Sequence, residues 1–221
     1  MVRSLVFLYR WIRSIMPALK NYICFLLLTA GHYSSAQSPS APSKNDSVFN
    51  TAALSSFSLL DAGSRRPASL KKSAASGQPT LFIFLSPECP LCQNYTKNLN
   101  QLYQQYAGKI RIYGIIPGKT YKPADVSAFA EKYKIPFPLW IDQSLHLSHY
   151  LQASATPEVI LLDPQYQLVY KGAIDNWYKS LGKSRIRITE NYLQDAIDHT
   201  LRQSSPVIKR TTPVGCLLND F

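Results

Sequence analysis

The junction between residues 80 and 107 constrains the fold most. Thr80-Leu-Phe-Ile-Phe-Leu85 is a continuous apolar, β-favouring run, the pattern of a strand buried on both faces. It leads through Ser86-Pro87-Glu88 into Cys89-Pro-Leu-Cys92. Leu91, Tyr95, Leu99, Leu102, Tyr103 and Tyr106 then recur at helical spacing as far as Gly108. A strand that hands over to a helix at a C-x-x-C places two thiols at a helix N-terminus. Unpaired amides and the positive end of the helix dipole favour the thiolate there, and Pro90 suits the first turn, where its missing N–H costs nothing. The spacing predicts Cys89 as the more exposed, attacking thiol and Cys92 as the more buried, resolving one. Half a zinc site and a static disulfide are the other readings of such a pair. No second C-x-x-C or Cys/His pair completes a zinc tetrad at the usual spacing, and a disulfide closing so small a loop stabilises little.

The segments around this junction alternate in type. Phe57–Asp61, Ile110–Ile116, Phe137–Ile141, Glu158–Leu162 and Gln167–Lys171 read as strands, the last two joined by a tight turn at Asp163-Pro164-Gln165-Tyr166. Helices are predicted from Lys122-Pro123, over Gln143–Leu151 and over Glu190–Gln203, where Tyr192, Leu193, Ala196, Ile197 and Leu201 form a stripe. The order predicts an α/β fold with a central mixed sheet flanked by helices. Apolar residues make up 46% and charged residues 17%, which excludes a disordered chain. Nine glycines exclude collagen, and four cysteines in 221 residues exclude a disulfide-dense mini-protein.

About 65 residues after the C-x-x-C, Ala155-Thr156-Pro157-Glu158-Val159 precedes a predicted strand; an ordinary turn is the local alternative. Together with the strand, C-x-x-C and helix, this element makes residues 55–203 resemble the thioredoxin-like superfamily, in particular its secreted redoxin branch (alkyl hydroperoxide reductase/thiol-specific antioxidant-like, or thiol–disulfide oxidoreductase). The resemblance implies Cys89 and Cys92 as the redox dithiol. It makes Thr156-Pro157 the cis-proline element, whose preceding residue, Thr156, pairs with a bound substrate strand and keeps metals off the thiols. It implies exchange with protein thiol or disulfide substrates, a partner that recycles the dithiol, and no organic cofactor. The sequence also departs from better-known members. Glu88 precedes the nucleophile, as a proton acceptor or a solvent-facing group, and a carboxylate there opposes thiolate formation. The strand Thr80–Leu85 lacks the family's buried acid. For thiol peroxidase activity, Ser86 fits the hydroxyl position of the peroxiredoxin motif, but Phe82 stands where that motif needs proline. Copper delivery is a further alternative: Cu(I) would be bound by Cys89 and Cys92 with His146 or His149, soft thiolates suiting that ion. The copper branch, however, spaces its cysteines by three residues rather than two.

The ends carry separate expectations. Residues 1–36 hold Arg3, Arg10, Arg13 and Lys20, no acid, and the apolar run Tyr22–Ala30, short for a membrane span. They read as a signal peptide cut after Ala36, or as an uncleaved anchor, the one case in which the chain would touch a membrane; Met16 offers an alternative start. The chain is thus expected to be exported to the periplasm or cell envelope. Residues 37–54 begin Ser/Pro-rich and read as a linker. The net charge of +11 comes from scattered basic residues without an aromatic-interleaved stripe, which argues against nucleic-acid binding. Residues 172–192, with Asp175, Trp177, Tyr178 and a basic cluster, read as a partner-binding or packed surface loop. The tail 204–221 is expected to be extended, broken by Pro206 and Pro213. Its Cys216 is either a third redox or metal-binding thiol, or a buried residue packing the tail onto the domain.

Overall fold

The computed structural model describes residues 48–70 and 77–218; the expected signal segment and most of the expected linker lie outside the described residues. The core is a seven-stranded mixed sheet. Its strands are β1 (Leu59–Asp61), β2 (Pro67–Ala68), β3 (Thr80–Phe84), β4 (Arg111–Pro117), β5 (Leu139–Asp142), β7 (Glu158–Leu162) and β8 (Leu168–Gly172), in the spatial order β2-β1-β5-β4-β3-β7-β8. The central β3 runs parallel to β4 and antiparallel to β7, with Thr80 opposite both Arg111 and Leu162 and Phe84 opposite both Ile115 and Glu158. All five β3 side chains are buried, as the unbroken apolar run requires.

Alternation along β3 divides the core into two faces. Leu81 and Ile83 point to the face covered by α2 (Pro90–Gln105), α3 (Pro123–Lys132) and α5 (Tyr192–Leu201), while Phe82 and Phe84 point to the other. That second face is closed by α1 (Thr51–Ser56) through Leu54 and by α4 (His146–Tyr150) through Leu147. α1 begins within the stretch 37–54 expected to be linker. Asn50 caps it, accepting from Ala52 N at 2.8 Å, and Phe49 N donates to Tyr166 O at 3.0 Å, so the ordered fold already includes residues 48–54.

Two small pairings lie outside the main sheet. β9 (Tyr178–Ser180) and β10 (Lys183–Ser184) form a hairpin, and β6 (Ala155–Thr156) pairs antiparallel with β11 (Cys216–Leu217) near the C-terminus. Before β11 the tail runs beside β8: Lys171 N donates to Lys209 O at 3.0 Å and Thr211 N to Lys171 O at 3.1 Å. Among the described residues no helix is long and apolar enough to cross a membrane.

Candidate redox site

The sheet register builds the site. Phe84, the last residue of β3, lies opposite Glu158, the first of β7. The chain leaving β3 and the chain entering β7 therefore meet at one end of the sheet, which puts Cys89 against Thr156-Pro157. The Thr156–Pro157 peptide bond is cis, as the resemblance implied. Cys89 is the N-cap of α2 and Pro90 occupies its first turn. A protonated Cys89 donates to the Thr156 carbonyl at 3.2 Å. Cys92 lies one turn into the helix, fully buried, and Ser86 N donates to its sulfur at 3.4 Å. All three described cysteines are free thiols.

Cys89 is the more exposed of the two sulfurs, as expected, but only just: 2% of its surface is accessible against 0% for Cys92, because the tail lies over it, where β11 pairs Cys216 with Thr156 and the Cys216 thiol donates to the Cys89 sulfur at 2.7 Å. Cys216 itself is exposed, so it is not the buried packing residue that was the alternative for it.

These contacts separate the three thiols electrostatically. Hydrogen bonding from Cys92 and, less, from Cys216 outweighs the cost of burial and lowers the Cys89 pKa to about 4. Burial, and then the hydrogen bond and negative charge of Cys89, push Cys92 well above the ordinary thiol range. The same causes raise Cys216 to about 11. Cys89 is thus the thiolate of the set at neutral pH, and its proton returns only in acid. The ultraviolet thiolate absorbance of the reduced protein is accordingly expected to fall as pH is lowered through about 4, not near 9. Cys216→Ala, which removes one donor to the thiolate, should move that transition to higher pH; an unmoved transition would show that Cys216 does not solvate Cys89.

The other candidates fall as follows. Glu88 is exposed, and its carboxylate accepts from the Tyr121 hydroxyl at 3.4 Å; that hydroxyl also meets Ser86 Oγ at 3.0 Å. His146 and His149 are exposed on α4, which packs on the sheet face opposite the cysteines, so the structure does not bring them to Cys89 and Cys92. Among the described residues no group of three or more His, Cys, Asp or Glu could hold a metal ion. In the 172–192 loop, Asp175 accepts from Tyr95 Oη at 2.6 Å and from Trp177 N at 2.8 Å, and Trp177 meets the Tyr95 ring edge-on at 5.3 Å. This part is packed, whereas Lys183, Arg185 and Arg187 are exposed.

Sequence reasoning missed Glu158. It is 1% exposed, and its carboxylate accepts from Ser154 N at 2.5 Å, Ser154 Oγ at 3.0 Å and Ala155 N at 3.2 Å, with Lys171 Nζ 3.8 Å away. It ties down the loop that carries Thr156. The available signal was an acid at the head of an otherwise apolar strand, which must find partners once buried.

A dithiol at a helix N-terminus, facing a cis-proline loop beside a central mixed sheet, defines a thioredoxin-like redoxin. The chain belongs to the AhpC/TSA family, whose pattern matches residues 51–171, and that membership carries oxidoreductase chemistry in general without fixing its type. Among curated proteins, none matches the sequence. Solved structures do. A hypothetical protein of Sinorhizobium meliloti 1021 is similar at 25% identity and a TM-score of 0.66, covering 75% of this chain and 91% of its own. An uncharacterized conserved protein of Geobacillus kaustophilus shares the fold at 22% identity and a TM-score of 0.66, covering 75% and 88%.

Proposed function

We propose that the protein is an exported thiol–disulfide oxidoreductase acting on protein substrates through Cys89 and Cys92. The observation that carries this reading is the placement of the two sulfurs: Cys89 at the N-cap of α2 against the cis-proline loop, and Cys92 buried one turn behind it. Hydrogen bonding favours the thiolate at Cys89 and burial the thiol at Cys92. The Cys89 thiolate attacks a substrate disulfide, forming the mixed disulfide and releasing one substrate sulfur as thiolate, which takes up a proton. Cys89 then no longer carries the charge that held the Cys92 proton. Cys92 ionises and attacks Cys89 Sγ, and the substrate leaves as a dithiol. A recycling partner reduces the Cys89–Cys92 disulfide again. Export rests on the basic, apolar N-terminal segment. A dithiol role suits the buried Cys92 better than peroxide reduction does, since the Ser86 hydroxyl is engaged by Tyr121.

The test uses the full chain with Cys24→Ser and the substitutions Cys92→Ala and Cys216→Ala. With no second thiol to resolve it, a covalent adduct of Cys89 with insulin or oxidised glutathione should accumulate and be released by dithiothreitol. If Cys89 of the reduced protein forms no adduct with either disulfide even at about pH 9.5, above the ordinary thiol pKa, the reading is wrong.

A further inference from the structure

The tail is built to reach the site. Thr211 anchors it, its hydroxyl meeting Tyr170 Oη at 2.6 Å and accepting from Ala173 N at 2.9 Å. Gly172 leaves room for this anchor: its φ is +142°, and a Cβ added there would collide with the Thr211 backbone. At the far end, Leu218 N donates to Ser154 O at 2.9 Å. Between these points Gly215 passes over the cis-proline loop so closely that an added Cβ would lie 2.6 Å from the Thr156 carbonyl carbon. Two close approaches that only glycine permits, a ladder on β8 and a ladder on β6 specify one path. That path delivers Cys216 Sγ to 2.7 Å from Cys89 Sγ, against about 2.05 Å for a covalent S–S bond. Any sulfur from outside the protein exchanging with Cys89 would have to occupy the place Cys216 holds.

We propose that Cys216 is a third redox-active thiol that closes a disulfide with Cys89, so that the tail is the protein's own first substrate strand and external thiols exchange at Cys216. This rests on the dithiol reading above. When a protein disulfide has oxidised the pair, Cys89 no longer carries the charge that helped hold the Cys216 proton; Cys216 gives that proton up to solvent and its thiolate attacks Cys89 Sγ. The Cys89–Cys216 bond forms, the Cys89–Cys92 bond breaks, and Cys92 leaves with the electron pair and takes up a proton; two electrons' worth of oxidation moves from one pair to the other. An external thiolate then attacks the exposed Cys216 and expels Cys89, the better leaving group because its thiolate is the more stable. Docking also raises the effective concentration of Cys216 at Cys89 to the millimolar range or above.

The test follows the fate of a glutathione adduct on Cys89 in the full chain with Cys24→Ser, by intact mass and by peptide mapping of disulfides. In Cys92→Ala, oxidised glutathione should give a transient adduct that loses glutathione and ends as a Cys89–Cys216 disulfide. In Cys92→Ala/Cys216→Ala the adduct should persist. In Cys92→Ala/Gly215→Val, where a side chain forces the tail off Thr156, resolution should slow about 10-fold, the factor for losing about 1.4 kcal/mol of docking. An adduct in Cys92→Ala that lasts as long as in Cys92→Ala/Cys216→Ala, with Cys216 still alkylatable, overturns the proposal and leaves the dithiol function standing. Equal rates of resolution in Cys92→Ala and in Cys92→Ala/Gly215→Val overturn the docked geometry as its cause. Absence of any adduct in Cys92→Ala/Cys216→Ala even at about pH 9.5, above the ordinary thiol pKa, overturns both readings.

Discussion

Cys89→Ser is expected to abolish disulfide reduction, lowering the turnover of insulin by dithiothreitol in the presence of the protein by roughly 10³-fold or more, the scale seen when a covalent nucleophile is removed. A serine hydroxyl at the same position is not ionised at neutral pH. It inherits the helix dipole and the hydrogen bonds from Cys92 and Cys216 but has no charge for them to stabilise. The fold should survive, since serine replaces one small N-cap residue by a preferred one. A variant that folded normally and kept more than a tenth of the activity would transfer the nucleophile's role to another sulfur, and among the described residues only Cys92 and Cys216 are near enough.

Glu158→Ala is expected to cost about 2–4 kcal/mol of folding stability, the range for losing hydrogen bonds to a buried charged acceptor. The substitution removes the acceptor shared by Ser154 and Ala155 and leaves Lys171 half-buried beside a void. Lys171 already pays for its position: burial lowers its pKa, and the Glu158 charge offsets part of that shift. The urea midpoint should therefore fall with little change in slope. Glu158→Gln, which keeps the shape and one acceptor oxygen, should cost less. A midpoint shift within the ±0.5 kcal/mol or so typical of surface substitutions would mean that the Thr156 loop is held by its neighbours instead.

What the sequence revealed and what it concealed divide along the range of the interactions. The strand–C-x-x-C–helix unit was legible because it is local: the apolar run of β3, the two sulfurs and the 3.6-residue stripe of α2 lie within residues 80–107 and need no distant partner to be read. Thr156-Pro157 was legible through its distance from that unit. α1 was not, because six residues with a single buried side chain, Leu54, follow a Ser/Pro-rich stretch and carry no stripe. The burial of Cys89 was missed for a stronger reason. Exposure at a helix N-terminus is a local expectation, and the cover comes from a residue 127 positions away. β6 and β11 are two residues each, too short for an alternating pattern, and Gly215 announces a close approach only when the surface it approaches is known.

The course of the tail beside β8 has an effect beyond the sulfurs. β8 is the last strand on its side of the sheet, and an open rim of peptide groups is a standing invitation to a strand from another molecule. At the opposite rim, β2 answers that invitation with two residues, one of them a proline. On the β8 side the guard is the tail itself, bonded to Lys171 from both directions. Sulfur chemistry and solubility therefore share one piece of chain: an event that peels the tail back as far as Thr211 bares a nucleophile and unseals the sheet together.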